Sequence, residues 1–354
     1  MSGFSFSKLK QTKPSMRRRL FLYMGALAAL LLAVLFAALL LLGRLKSPRK
    51  ELAKTLTFRM EAFQSDMESL WRNVAVMGIH LSEDMTVLLE QQTSDLTALG
   101  GDADAVERLE EAMLEPLCQY VRQADCSGAF VVLNTSLVSD DTSLSGLYIQ
   151  RSNSAHTTSN LLLYRGMADI GRRHGVMPHR KWAQEFELSE FSCLAEHLNT
   201  AFAPLERDCR TSALLTLPGT SERAILLTVP MLGADGTVYG LCGFSVNQTY
   251  FAAHHVQPSG INHLACVLSD VTDGLDISNS LVTYPAGGFC FVPDEPLMEK
   301  DIRDGLTTFI GSEISFVGLS EPFLAASGDL EPHALTVIIP RRDYHRTILK
   351  SGLE

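Results

Sequence analysis

Beyond residue 50 this chain of 354 residues is poor in basic charge. The first 50 residues hold ten lysines and arginines and no acid, which leaves 20 basic and 40 acidic residues in 51–354, a net charge of −20. Nucleic-acid binding needs a basic footprint against phosphate, so this balance argues against it. The motifs that carry common chemistries are missing as well: HExxH, His-x-Glu, the GxSxG elbow and the GxxxxGK-Ser/Thr phosphate loop are all absent. An enzyme reading would have to rest on His179, Glu185 or Glu187. The two glutamates lie two apart in KWAQEFELSE, where helix geometry points them apart rather than at one substrate. We therefore predict no catalytic residue, no metal site and no cofactor. Cysteine is present but unpatterned. Cys118, Cys126, Cys193, Cys209, Cys242, Cys266 and Cys290 form no CxxC and no zinc spacing. Cys118 with Cys126, and Cys193 with Cys209, could close short loops in an oxidising compartment, and the odd total leaves at least one thiol unpaired. Cys242 and Cys266 sit in apolar runs and read as small buried residues.

What the chain does have is one uncharged run of 24 residues, Leu20 to Gly43. A helix of that length covers about 36 Å, against a hydrocarbon core of about 30 Å. A cleaved signal peptide would have an apolar region of about 7–15 residues ending at a small-residue site, and this run is longer and ends in Leu-Leu-Leu-Leu-Gly-Arg. We read an uncleaved anchor spanning the lipid bilayer through residues 20–43. Six basic residues precede it and four, Arg44, Lys46, Arg49 and Lys50, follow it. That excess places the N-terminal tail, 1–19, in the cytoplasm and the main domain outside the cell membrane.

After the anchor, apolar residues recur every three or four positions: Leu56, Met60, Phe63, Met67, Leu70, Val74, Met77, Leu81, Met85 and Leu88. This spacing predicts one helix from about Pro48 to Gln92, inside a stalk segment 44–97. Two uses of its stripe are open, packing on the protein's own sheet and forming a homodimer seam, and the second can add to the first. Residues 93–104 read as a turn-rich link, Val106–Arg122 as a second helix, and Gly128–Leu133 and Gly146–Ile149 as strands across a polar loop. Asn160–His197 reads as helix and long loop lying over a sheet.

The strongest strand signal is RAILLTVPML (223–232), then Ala234-Asp235-Gly236, then TVYGLCGFSV (237–246). Asp-Gly tolerates positive φ, so the two runs predict a central antiparallel hairpin, with Asn247 capping a following helix. Residues 261–345 repeat the theme on a smaller scale, with strands expected at 264–268, 281–284, 289–292, 314–319 and 335–339 and turns at 273–274, 287–288 and 328–329. Pro340 ends the last strand. The fold class predicted is α+β, with an N-terminal transmembrane helix, a long juxtamembrane helix and two antiparallel-sheet lobes.

With that layout in hand, the chain resembles the double Cache, PAS-like sensor regions of bacterial transmembrane receptors. The residues that carry the resemblance are AILLTVPMLGADGTVYGLCGFSVNQTYF (224–251) and the ending ISFVGLSEPF to HALTVIIPRRDYH (314–345). It implies a membrane-distal lobe at 98–258, a smaller membrane-proximal lobe at 259–345, a C-terminal tail at 346–354, and a small-molecule ligand. In relatives that bind amino acids, an Arg-x-Trp-Tyr stretch and a later Asp clamp the ligand. Here Arg180-Lys181-Trp182 matches the first half, Ala183 replaces the Tyr, and Ser245 stands near the place of the Asp. From residue type alone, Arg165, Arg180 and Trp182 suit a carboxylate clamp and a pocket wall. The candidate ligand residues are therefore Arg165, Arg180, Trp182 and Ser245, in a pocket over the hairpin and under 160–197. The resemblance also leads us to expect a second membrane helix and an output module after residue 345, and the sequence carries neither. The alternative is a single-pass envelope scaffold with no small ligand.

Overall fold

The computed structural model describes residues 16–45, 48–92, 103–134, 143–156, 158–200, 208–255, 259–271, 274–285, 293, 295–303, 305–326, 329 and 332–351. The strand expected at 289–292 and the turn at 287–288 lie outside them, as does most of the 93–104 link and part of the turns at 273–274 and 328–329. The chain divides into two compact units, Met1–Leu52 and Ala53–Glu354. The first holds α1 (Met16–Leu45), whose stretch Arg19–Leu39 is the one helix among the described residues long and apolar enough to cross a membrane.

The second unit is built on α2 (Pro48–Gln92), whose limits are those the apolar spacing predicts. Leu56, Met60, Phe63, Met67, Leu70, Val74, Leu81 and Met85 are all buried within the chain itself. The stripe thus packs on the protein's own domain. Two details extend it beyond the sequence reading: Gly78 is buried where Met77 is only partly so, and Leu89 is buried where Leu88 is only partly so.

α3 (Ala103–Gln123) leads into β1 (Gly128–Leu133), β2 (Ser143–Leu144), β3 (Gly146–Arg151) and β4 (Leu161–Arg165). Then come α4 (Ala168–Arg173), β5 (Met177–Ala183), β6 (Phe186–Glu187) and α5 (Ser192–Thr200). The short strands β7 (Arg210–Thr211) and β8 (Leu215–Thr216) precede the hairpin of β9 (Arg223–Leu232) and β10 (Val238–Asn247). The larger sheet runs β5-β4-β3-β1-β10-β9-β7, with β8 also on β9. The hairpin is central, as its unbroken apolar runs require. Its turn closes through Gly236 at φ +84°, beside an Asp235 carboxylate that accepts the Thr237 amide at 2.9 Å. One expectation is corrected here. Residues 160–197 do not merely lie over the sheet: β4 and β5 belong to it, the latter as a parallel edge strand reached through α4.

α6 (Gln248–His254) starts at Asn247, whose side chain accepts the Tyr250 amide. The smaller sheet follows, from β11 (Ala265–Asp270), β12 (Leu281–Thr283), β13 (Met298–Arg303), β14 (Leu306–Ile310), β15 (Ser315–Phe323) and β16 (His333–Pro340) in the order β12-β11-β16-β15-β14-β13. β13 and β14 were not anticipated. The last strand does end at Pro340. α7 (Arg341–Ser351) then continues through most of the segment read as a tail.

Two-residue alternation divides the larger sheet between its faces. Leu227, Val229 and Phe244 meet the helices; Phe130, Tyr148, Leu226 and Leu241 meet the opposite layer with Phe186, Phe191 and Leu194. The helix layer comes closest at Gly78, where a Cβ would stand 3.0 Å from a Val229 methyl and 3.1 Å from a Leu227 methyl. The cysteines Cys118, Cys126, Cys193 and Cys209 are free thiols, so neither pairing left open by spacing is made. Gly78→Leu forces α2 off the sheet, and we expect a loss of about 1–3 kcal/mol by thermal unfolding of the full chain. Val76→Leu, on the exposed side of the same turn, should leave stability within about 0.5 kcal/mol.

Candidate functional site between the two sheets

Three of the four sequence-predicted ligand residues do structural work. Arg165 is buried in β4, its guanidinium 4.3 Å from the Tyr164 ring centroid and 5.4 Å from that of Phe191. It donates to the Tyr164 carbonyl at 2.9 Å and to the Lys181 carbonyl at 3.4 Å, and meets a Glu190 carboxylate oxygen at 3.4 Å. Trp182 donates its indole N–H to the Gly166 carbonyl at 2.7 Å, pinning β5 to the end of β4. Ser245 is buried in β10, with its hydroxyl 3.1 Å from that of Ser127. Aromatic rings pack in the space expected to hold a ligand, over the hairpin and under 160–197. Tyr148 meets Tyr164 at 5.2 Å and Phe130 at 5.7 Å edge-on and Phe186 at 6.4 Å stacked, and Phe186 meets Phe191 at 5.5 Å.

Arg180 is different. It is exposed on β5 and borders a cavity of about 570 Å³, within the usual range for small-molecule sites. The larger sheet and its connections supply His179, Arg180, Thr220, Ser221, Glu222 and Arg223; α6 supplies Gln248 and Thr249; the smaller lobe supplies Ile277, Ser278, Ser280, Val282 and Tyr284. Both lobes therefore contribute walls. Gln248 joins them, its amide nitrogen donating to the Val282 carbonyl at 2.7 Å and its amide oxygen accepting the Val282 amide at 2.8 Å. Glu222 accepts the Thr249 amide at 3.4 Å. His179 stays below its ordinary pKa of 6.5, first because it is partly buried and then because Arg180 stands beside it. As ligand contacts, sequence reasoning found only Arg180 here, with His179 singled out for the enzyme reading instead. Glu222 and Arg223 at the head of an apolar strand, and Gln248 just after a helix cap, were the signals available for the rest.

A second cavity, of about 770 Å³, lies across the lobes on the α5 side. Its polar groups are largely bonded to one another. Asp329 accepts the Thr211 amide at 2.6 Å and its hydroxyl at 2.7 Å, His333 lies 3.0 Å from that hydroxyl and 3.2 Å from Asp270, and Asp270 accepts the Leu214 amide at 3.0 Å. This chain of bonds reads as a lobe-to-lobe tie. Among the described residues no cluster of three or more His, Cys, Asp or Glu side chains is arranged to hold a metal.

The chain is similar to periplasmic sensory domains of chemoreceptors. The sensory domain of the Campylobacter jejuni chemoreceptor Tlp3, solved with isoleucine bound, is 11% identical with a TM-score of 0.46, covering 84% of this chain and 96% of that one. The periplasmic sensory domain of Campylobacter jejuni Tlp1 gives 11%, 0.46, 84% and 98%. The ligand-binding domain of the Pseudomonas aeruginosa amino-acid chemoreceptor PctC, in complex with GABA, gives 10%, 0.39, 81% and 100%. No protein-family model and no curated protein matches the sequence.

Away from the cavities, Glu110 on α3 is almost wholly buried. Burial lifts its pKa from 4.5 to about 7, against the amides of Met167 and Gly146, which favour the charged form, and Met167 donates to it at 2.8 Å. A raised carboxyl pKa means the native state holds the proton more tightly, so the stability from this group is fully present below about pH 4.5 and is lost as pH rises through 7. His197, also buried, works in the opposite direction: burial and then Arg210 lower its pKa from 6.5 to about 4, so its contribution is lost as pH falls through that range. Comparison with a variant separates the two. Stability of Glu110→Gln relative to the unaltered chain should rise by roughly 2–3 kcal/mol between pH 5 and pH 8, followed by denaturant unfolding at each pH.

Proposed function

We propose that this chain is the membrane-anchored, extracytoplasmic sensing region of a signal-transduction receptor. It is a binder rather than an enzyme, and its small-molecule ligand sits in the cavity lined by Arg180. In this reading residues 20–43 span the bilayer with the N-terminus cytoplasmic, and the lobes at 98–258 and 259–345 form the sensor. One observation carries it: a cavity of small-molecule size whose walls come from both lobes, next to a single side chain that ties them. A ligand touching both walls has different interaction energies in different seatings of the lobes, which is what a ligand needs in order to shift an equilibrium between them. α2, packed on both lobes, is the element such a shift would move.

The test is a thermal-shift screen of small molecules on the full chain in lipid nanodiscs. A ligand at about 100 times its Kd should stabilise the protein by about 2.7 kcal/mol. Arg180→Ala should remove that stabilisation and Trp182→Ala should keep it, because the indole serves the β4–β5 edge. Retention in Arg180→Ala would move the site elsewhere. Gln248→Leu loses both bonds to Val282 and leaves two buried backbone groups unpaired. We expect about 1–3 kcal/mol of destabilisation and a smaller ligand-induced shift.

A further inference from the structure

Charge placement in this cavity runs against that of the whole domain. Residues 51–354 carry a net charge of −20, yet two arginines, Arg180 and Arg223, border the cavity. Neither has a carboxylate within 4.0 Å among the described residues, as is also true of Arg59, Arg72, Arg108, Arg341 and Arg342, whereas Arg122, Arg165, Arg172, Arg173 and Arg346 each do. In a segment with twice as many acids as bases, two arginines without a paired acid at one cavity offer two positive charges to an anion. The one carboxylate in the lining, Glu222, is held by the Thr249 amide in the first turn of α6. Three of the six hydroxyl side chains in the lining have their protons committed: Thr220 donates to the Leu217 carbonyl, Ser278 to an Asp276 carboxylate oxygen and Ser280 to the Asp276 carbonyl. Those three can meet a ligand only as acceptors, which favours a ligand that brings a donor of its own.

We infer that the cavity binds a small hydroxydicarboxylate, with one carboxylate on Arg180, the other on Arg223, and the ligand hydroxyl donating to the serine and threonine oxygens. Guanidinium suits this task because its planar fork meets a carboxylate with two parallel hydrogen bonds. Glu222 sets the sign of the discrimination. Its negative charge repels a dianion, whereas it would hold the ammonium group of a zwitterionic amino acid.

The inference rests on the sensing reading, and titration calorimetry of the full chain in nanodiscs separates the two. Malate is the probe, with succinate, lactate, inorganic phosphate and aspartate as comparisons. We expect malate to bind more tightly than succinate and lactate and at least tenfold more tightly than phosphate, with Arg180→Ala and Arg223→Ala each weakening it tenfold or more. Glu222→Gln should tighten malate about threefold. Unliganded melting temperatures of the variants confirm that each is folded. If Glu222→Gln instead weakens the best ligand and aspartate exceeds malate, the site takes zwitterions and the inference is overturned. Tighter binding of phosphate than of malate overturns it in favour of an oxyanion site. If no dicarboxylate binds but another compound stabilises the chain through Arg180, the ligand class is wrong and the sensing reading stands. Failure of every compound removes both.

Discussion

Everything in the folded unit depends on the burial of one stripe of a single helix. The N-terminal part of the stripe faces α6 and the start of the smaller lobe: Phe63 meets Phe251 of α6 at 6.2 Å, Asp66 pairs with His255 at 3.1 Å, and Arg59 and Asp66 lie close enough to Cys266 of β11 to influence its thiol. The later part faces the larger sheet, where Ser82 donates to the Pro230 carbonyl at 2.7 Å and Gly78 admits the Leu227 and Val229 methyls. Each lobe alone would expose the apolar face that α2 covers. A helix whose one side is core to two sheets makes them share a fate, because burial of apolar area is the dominant favourable contribution for both.

Against that common spine, the ties described between the lobes are polar. Gln248 with Val282 on one side, and the Asp270, His333, Thr211 and Asp329 chain on the other, are hydrogen bonds rather than packed hydrocarbon. Hydrogen bonds have directional requirements that two seatings can satisfy differently, while an apolar interface would resist sliding through lost area. The helix side is thus built for permanence and the cavity side for adjustment.

Those elements whose pattern is continuous in the chain could be read directly. α2 shows its stripe from Leu56 to Leu88, and the β9–β10 hairpin has two apolar runs with Asp-Gly between them, so both stand where periodicity places them. β5 could not be read this way. Met177–Ala183 is an edge strand with little burial, contains Pro178, and is held by Trp182 and a parallel partner rather than by alternation. β13, MEKDIR, is a charged edge strand that owes its conformation to β14. The site followed the same division. Arg180 was visible as a residue type, but its companions Arg223, Gln248 and Val282 come from three later segments, and only the sheet order brings them together. Arg165 misled for a related reason: an arginine stacked between two aromatic rings in a core has the same sequence signature as one awaiting a ligand.

The pairing order of the strands has a consequence for how the molecule is made. β1 bonds to β10, with Gly128 opposite Ser245, and β11 bonds to β16, with Asp270 opposite His333. A ribosome therefore delivers the helix and its row of methionines and leucines long before the strands that will cover them exist. Closing such distant pairs is slow, and the uncovered stripe is adhesive in the meantime. Synthesis of this protein should lean on chaperones that shield a single amphipathic helix until the final strand has emerged.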